Sequence, residues 1–200
     1  MKKFLCLFVA PLLIFGSQTL SAALLTFDDV PGGSIKGKYG DMPIYQGYTF
    51  SPTLDWIDVE DSIDEQEPKY YYGANSGDFA LINNAGGVGS IIESSTIDFT
   101  FGGLWAKRWG TVPDSGGADL LSGTISGYND GNLVWKLATG LNGSYEYYAA
   151  QAGLIDKLRL DFGNYFLVDD LELNAVPVPA AAWLFGSGLI ALFGFARRNS

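Results

Sequence analysis

The stretch 156–162, DKLRLDF, places an apolar side chain at every second position. Its apolar residues are Leu158, Leu160 and Phe162, and the residues between them are charged. Because successive side chains of a β-strand point to opposite faces, this alternation predicts a strand with one buried face and one solvated face. The stretch therefore indicates antiparallel β structure.

The same period recurs along the chain. In 95–101, STIDFTF, the apolar positions are Ile97, Phe99 and Phe101. Further strands are predicted at 24–27, 47–50, 78–82, 120–128, 132–138 and 165–173. Clusters of Gly, Asn, Asp and Ser separate them and supply the backbone conformations that tight turns need. This pattern predicts an all-β fold, an antiparallel β-sandwich with jelly-roll topology.

The first 23 residues have the organisation of an export signal. Lys2 and Lys3 precede an apolar run over 4–15, and 21–23, Ser-Ala-Ala, offers small residues for a signal peptidase. We therefore predict a signal peptide over 1–23, cleaved after Ala23, and a β-sandwich domain over 24–175. The single cysteine, Cys6, lies inside the signal.

The domain over 24–175 is strongly acidic. It holds all 22 acidic residues of the chain and 8 of its 12 basic residues, which gives a formal charge of −14. This charge disfavours nucleic acid and anionic membrane surfaces, and it favours cation binding. Without Cys or His, the domain has no disulfide, and Ser-His-Asp, Cys-His and histidine-zinc catalysis are excluded.

The other end of the chain is an apolar segment between prolines and arginines. Residues 176–179 read Val-Pro-Val-Pro, 180–196 carry no charge, and Arg197 and Arg198 follow. Such a run is just long enough to span a bilayer as a helix, and the arginines fit a cytoplasmic end. The two prolines keep the residues before it extended.

This tail, Val176-Pro177-Val178-Pro179 followed by AAAWLFGSGLIALFGFARR, resembles the sorting signal of the PEP-CTERM proteins of Gram-negative bacteria. The resemblance covers about 25 residues and implies a proline motif (176–179), a transmembrane helix (180–196) and a basic end (197–200). It also implies processing by an exosortase, transient anchoring in the inner membrane, and delivery to the envelope or the extracellular matrix. Val178 stands where the commonest form of the motif has Glu. More diffusely, the domain resembles the carbohydrate-binding-module-like sandwiches of such proteins.

Two acidic pairs are candidate ligands for a structural Ca²⁺. The first and last strands of jelly-roll binding modules lie side by side, so the two pairs are expected to meet. Neighbouring carboxylates need a cation or a proton, and oxygen ligands suit Ca²⁺. The alternative is that the acids simply end their strands in water. The candidates are Asp28, Asp29, Asp169 and Asp170.

Aromatic residues offer a second kind of site, since sugar rings stack on flat aromatic faces. The alternative is that they fill the core. Some of them flank a run with seven acids over 55–67, which predicts a surface loop. The candidate glycan-binding residues are Trp56, Tyr71, Trp105 and Trp109.

These observations predict a non-enzymatic exported protein of the envelope or extracellular matrix that binds glycans. A structural surface protein without a ligand, or an enzyme that uses two carboxylates on a glycan, are the alternatives. An exposed aromatic row on one sheet face would favour glycan binding. The sequence carries no pattern for nucleic-acid binding.

Overall fold

The computed structural model describes residues 22–59, 73–83, 85–93, 97–109, 121–163 and 165–176. Within these ranges the chain forms strands and no helix. The strands are β1 (Ala22–Leu25), β2 (Tyr39–Asp41), β3 (Tyr48–Phe50), β4 (Asp55–Asp58), β5 (Phe79–Asn83), β6 (Gly89–Glu93), β7 (Phe99–Arg108), β8 (Leu121–Asn129), β9 (Asn132–Leu141), β10 (Glu146–Ile155), β11 (Lys157–Asp161) and β12 (Phe166–Ala175).

The strands form two antiparallel sheets. The large sheet has the order β10-β7-β12-β5-β4-β2, with β1 also paired to β12, and the small sheet has the order β3-β6-β11-β8-β9. The eight strands from β5 onward form the four-strand rows β5-β12-β7-β10 and β6-β11-β8-β9, which is jelly-roll order. The predicted all-β antiparallel sandwich is confirmed.

The first and last strands are neighbours, as the sequence predicted. Ala22 lies opposite Asn174 and Leu25 lies opposite Leu171. On the same edge of β12, its other half pairs with β5, where Val168 lies opposite Leu81. The segment between these two pairings, Asp169-Asp170, therefore lies at the gap between β1 and β5.

One apolar core fills the space between the sheets. The alternating residues that predicted β11 point into it, since Leu158, Leu160 and Phe162 have no exposed surface. The large sheet contributes Phe99, Phe101 and other residues to the same cluster, including Phe79, Leu81, Phe166, Val168, Leu171 and Leu173. Aromatic edges meet there, as in the Phe162–Phe166 pair, whose ring centroids are 4.6 Å apart.

The acidic run predicted as a loop begins as a buried strand. Trp56, Ile57, Asp58 and Val59 are all buried, and β4 pairs with both β2 and β5. The buried Asp58 carboxylate accepts a hydrogen bond from the Gly37 backbone N–H at 2.8 Å, which offsets the cost of its burial. Residues 60–67 of the run lie outside the described residues.

Two β-bulges shape the pairing of β7 with β12. Glu172 lies opposite Gly103 and Leu173 lies opposite Phe101, so Gly102 is an extra residue on β7. Asp169 lies opposite Trp105. Between this pair and the Glu172–Gly103 pair, β12 therefore has one more residue than β7. The extra residue there is Asp170, which has φ +45°. The two bulges compensate each other and keep the apolar residues on both sides in the core.

The described residues contain no helix with the length and hydropathy of a membrane span. The predicted signal peptide lies almost wholly before them, and the predicted transmembrane helix (180–196) and basic end with Arg197 and Arg198 lie beyond them. Of the proline motif, only Val176 is described; Pro177, Val178 and Pro179 are not.

Candidate functional site

An aromatic pair lies on the outer face of the large sheet, the face turned away from the small sheet. Trp105 on β7 lies opposite Tyr147 on β10, and their ring centroids are 5.3 Å apart with the planes inclined by 48°. Trp105 is partly exposed and Tyr147 is 52% exposed. The pair therefore presents aromatic surface to solvent near one edge of the large sheet.

The bulge at Gly102 and Gly103 brings two side chains close to the backbone beside this pair. A side chain at Gly103 would collide with the Tyr147 hydroxyl, and a Cβ at Gly102 would lie 2.5 Å from Cδ of Glu172. The two glycines thus let the Tyr147 phenol and the Glu172 carboxylate lie directly over the backbone. Tyr147 also donates a long hydrogen bond of 3.4 Å to the Gly102 carbonyl. We call Trp105, Tyr147, Glu172 and the two glycines the aromatic site.

The sequence predicted only one member of the aromatic site, Trp105. Tyr147 and Glu172 were not predicted because only the register of β10 and β12 against β7 brings them to it. The Gly-Gly pair after STIDFTF was a signal, since adjacent glycines inside a strand mark a bulge or a close approach.

The other predicted glycan-binding residues lie elsewhere. Trp56 is 6% exposed and packs in the core against Phe79, with ring centroids 6.3 Å apart. This corrects its prediction, because neither face of its indole is open to a sugar. Trp109 is partly buried and packs against a second apolar cluster. Tyr71 lies outside the described residues.

Three of the four candidate calcium ligands surround one segment, residues 75–79. Oδ1 of Asp28 accepts hydrogen bonds from the backbone N–H groups of Asp78 and Phe79, at 3.0 and 3.2 Å. Oδ2 of Asp169 accepts one from the Ser76 N–H at 2.9 Å. Asp170 accepts two, from the Ser76 hydroxyl at 2.6 Å and from the Asn75 amide at 2.7 Å. The two acidic pairs thus converge through the segment that they bind.

Asp29 faces a different partner. Its Oδ1 accepts a 2.5 Å hydrogen bond from the Tyr45 hydroxyl. Burial raises the pKa of Tyr45, and the hydrogen bond to Asp29 raises it further. In the described part of the chain, no group of three or more acidic, His or Cys side chains is arranged to hold a metal ion. Calcium binding stays a prediction.

A buried set of titratable groups lies next to the aromatic site. Asp169 has no exposed surface, and burial raises its pKa to about 7 against the opposing effect of the N–H groups of Ser76 and Asp170. Lys107 is 3% exposed, and burial lowers its pKa to about 8. Its Nζ lies 5.0 Å from the ring centroid of Tyr145, whose pKa is raised by burial and by the charges of Asp169 and Asp170. Because Asp169 is inaccessible, it cannot contact a glycosidic bond as an acid or base would have to.

The comparisons with known proteins give only remote likenesses. No family model and no curated protein match the chain. A structure of TmCBM61 in complex with β-1,4-galactotriose is 11% identical, covering 66% of this chain and 90% of that one, with a TM-score of 0.34. The C-terminal family 22 carbohydrate-binding module of Clostridium thermocellum Xyn10B is 9% identical, covering 65% of this chain and 86% of that one, with a TM-score of 0.32. Such scores identify neither a family nor a ligand for this chain.

Proposed function

We propose that this protein is an exported, non-catalytic glycan-binding protein of the cell envelope or extracellular matrix. The observation that carries the binding function is the aromatic site: an exposed Trp105–Tyr147 pair with the Glu172 carboxylate beside it. The aromatic faces take the apolar C–H face of a sugar ring. The carboxylate accepts hydrogen bonds from sugar hydroxyls, which are stronger than bonds between neutral groups.

The charge around the site selects the kind of glycan. Glu172 lies on the outer face of the large sheet and Asp170 lies in the bulge beside it, whereas Lys107 on the same face is only 3% exposed, with Nζ over the Tyr145 ring. A neutral sugar avoids the repulsion that a carboxylated or phosphorylated one would meet here. The site is also open, so a chain can cross it without presenting an end.

Export and sorting are the second part of the proposal. The signal peptide delivers the domain across the inner membrane, and the tail holds it there until an exosortase-type enzyme processes the proline motif. The described fold supports this because it extends to Val176, whose N–H donates to the Asp98 carbonyl at 3.0 Å. The first residue of the motif, Val176, therefore follows directly on β12.

Glycan binding is tested with the purified domain on neutral polysaccharides and oligosaccharides, by affinity electrophoresis and calorimetry. Trp105→Ala and Tyr147→Ala should each weaken binding by about tenfold to a hundredfold, as loss of a central aromatic contact does. Tyr39→Ala is the matched control, because Tyr39 is 68% exposed and lies on β2, at the far edge of the same sheet. Binding that survives both site variants, or no binding by the wild type, would favour a structural protein without a ligand.

Sorting is tested by the intact mass of the protein from the envelope and medium of its native host. Loss of the residues after the proline motif, in the parent strain and not in an exosortase-deletion strain, is the expected result. A full-length tail in both strains would contradict the sorting proposal.

A further inference from the structure

The outer face of the small sheet carries a row of cations in this acidic protein. Cross-strand partners share a face, and Arg159 on β11 lies opposite Ser126 on β8, which lies opposite Lys136 on β9. Arg159 also lies opposite Ser90 on β6. Lys157 precedes Arg159 by two residues on β11 and therefore lies on the same face. Three of the domain's eight basic residues therefore share one sheet face.

The acidic counterpart on this face is small. Two acids lie near the cations. Oδ2 of Asp161 lies 3.0 Å from Nη2 of Arg159, with both side chains about 40% exposed, and Asp156 lines a hollow together with Lys157 and Arg159. Arg159 keeps further N–H donors for another acceptor, since a guanidinium has five. Lys136 and Lys157 form no ion pair with any described residue. The three cations therefore outnumber the two acids beside them by one.

Three hollows follow the same row of side chains. One of about 220 Å³ is lined by Tyr128, Lys157 and Arg159, together with Gly131 and Asp156. A second of about 210 Å³ continues past Lys157 along Ser90 and Ser51. A third, about 360 Å³, is lined by Lys136, Asp161 and Thr124. The linings of the three hollows combine hydroxyls, cations and a tyrosine ring with the apolar side chains of Phe50 and Ile92.

We propose that this face, the cationic strip of Lys136, Lys157 and Arg159, is a second binding site and takes a carboxylated polysaccharide. Strands are spaced by about 4.8 Å, so Arg159 and Lys136, two strands apart, are separated by about 10 Å across the strip. Cations at this spacing suit a flexible or ribbon-like chain whose carboxylates recur along its length. The hydroxyls of Ser90 and Thr124 line the hollows beside the cations and pair with sugar hydroxyls, whereas Ser126 is only 2% exposed and packs between the strands.

The acidic charge of the rest of the domain favours a polysaccharide over polyanions with a higher charge density. A domain of formal charge −14 repels every polyanion at long range, and most strongly the dense charge of a nucleic acid or an anionic bilayer. A polyuronate carries one carboxylate per sugar and leaves hydroxyls between them, so three cations on a hydroxylated face match it more closely. The strip lies on the opposite side of the sandwich from the aromatic site.

The experiment measures binding of the purified domain to polygalacturonate, alginate and hyaluronan at low and moderate salt. Polygalacturonate in which the carboxylates are methyl-esterified is the matched ligand without charge. We expect binding to at least one of the carboxylated polymers, weakened by salt and by esterification, since screening acts on the charge pairs. The double variant K136Q/K157Q should bind about tenfold more weakly.

The control variant is K36Q/K38Q, which removes the same charge from exposed positions outside the small sheet. The proposal is overturned if none of the three polymers binds, if esterification does not matter, or if the control loses as much as K136Q/K157Q. It is also overturned if these two lysines govern binding to DNA or to phosphatidylglycerol vesicles instead. Because Trp105→Ala tests the aromatic site alone, failure at one site is distinguished from failure at the other.

Discussion

The carboxylate of Asp28 occupies the space that a side chain at position 77 would need. Gly77 has φ +59°, so the position also requires a backbone conformation that glycine adopts without strain. The same carboxylate accepts hydrogen bonds from the next two backbone N–H groups, those of Asp78 and Phe79. The start of β5 is therefore fixed by an acid that follows β1.

Gly77→Ala should lower the free energy of unfolding by about 2 to 4 kcal/mol, because it adds backbone strain and displaces a hydrogen-bonded carboxylate. Gly32→Ala is the control: Gly32 has φ +70°, with open space around its missing Cβ. It should cost only the strain, about 1 to 2 kcal/mol. Urea unfolding monitored by tryptophan fluorescence gives both values, and equal losses would contradict the role of Asp28.

Asp169 should make stability depend on pH. Its folded-state pKa of about 7 lies above the ordinary value of 3.8, so the folded state binds the proton more tightly than the unfolded state. The free energy of unfolding should then fall as pH rises between about 4 and 7, by up to about 1.4 kcal/mol per pH unit. Asp169→Asn, which cannot titrate, should show a flatter profile of unfolding free energy against pH.

Asp55→Asn is the matched control for this measurement. The pKa of Asp55 is also raised, by burial and by Asp41, but Asp55 is only partly buried. Its variant should keep most of the pH dependence of the wild type. If Asp169→Asn keeps it too, the carboxyl of Asp169 is not the titrating group.

Calcium binding at Asp28, Asp29, Asp169 and Asp170 has a direct test. A bound ion stabilises only the folded state, so the melting temperature should be higher in millimolar calcium than in EDTA. Asp170→Asn should remove that difference. If the wild type melts at the same temperature in calcium and in EDTA, the hydrogen-bond donors of residues 75–79 and Tyr45 satisfy these carboxylates without an ion.

Processing of the tail should leave Val176 on the domain. Its N–H is bound to the Asp98 carbonyl, so the peptide bond before it lies within the folded sheet. A protease or transpeptidase needs an extended segment, and the sequence after Val176 favours one because prolines disfavour helix. Mass spectrometry of the mature C-terminus checks this, and a product that ends within β12 would contradict it.

Period-two stretches let the sequence predict most of the strands. Leu158, Leu160 and Phe162 are buried as expected, because β11 is central and one of its faces forms the core. β10 was missed because it is an edge strand with mostly exposed residues on both faces, so its sequence EYYAAQAGLI hardly alternates. β4 was missed because its carboxylates were assigned to solvent, although Asp58 is buried.

The candidate site was harder to predict than the fold. Trp105 could be chosen for its aromatic side chain, but its partner Tyr147 follows only from the register of two strands about 40 residues apart in sequence. Trp56 was chosen for the same chemistry, and local sequence does not reveal that Gly33 and Gly40 let its indole pack closely beneath them. Long-range pairing decides which aromatic side chain faces water.

The pairing of β1 with β12 also sets the order of events during biogenesis. β12 is the strand against which β1, β5 and β7 all assemble. In the proposed export scheme it is also the last strand of the domain to emerge. In that scheme the large sheet cannot close until nearly the whole domain has crossed the membrane, and such long-range closure is slow. In the proposed scheme the following hydrophobic segment stops in the bilayer at that moment, which would give the domain time to fold at the membrane before its release.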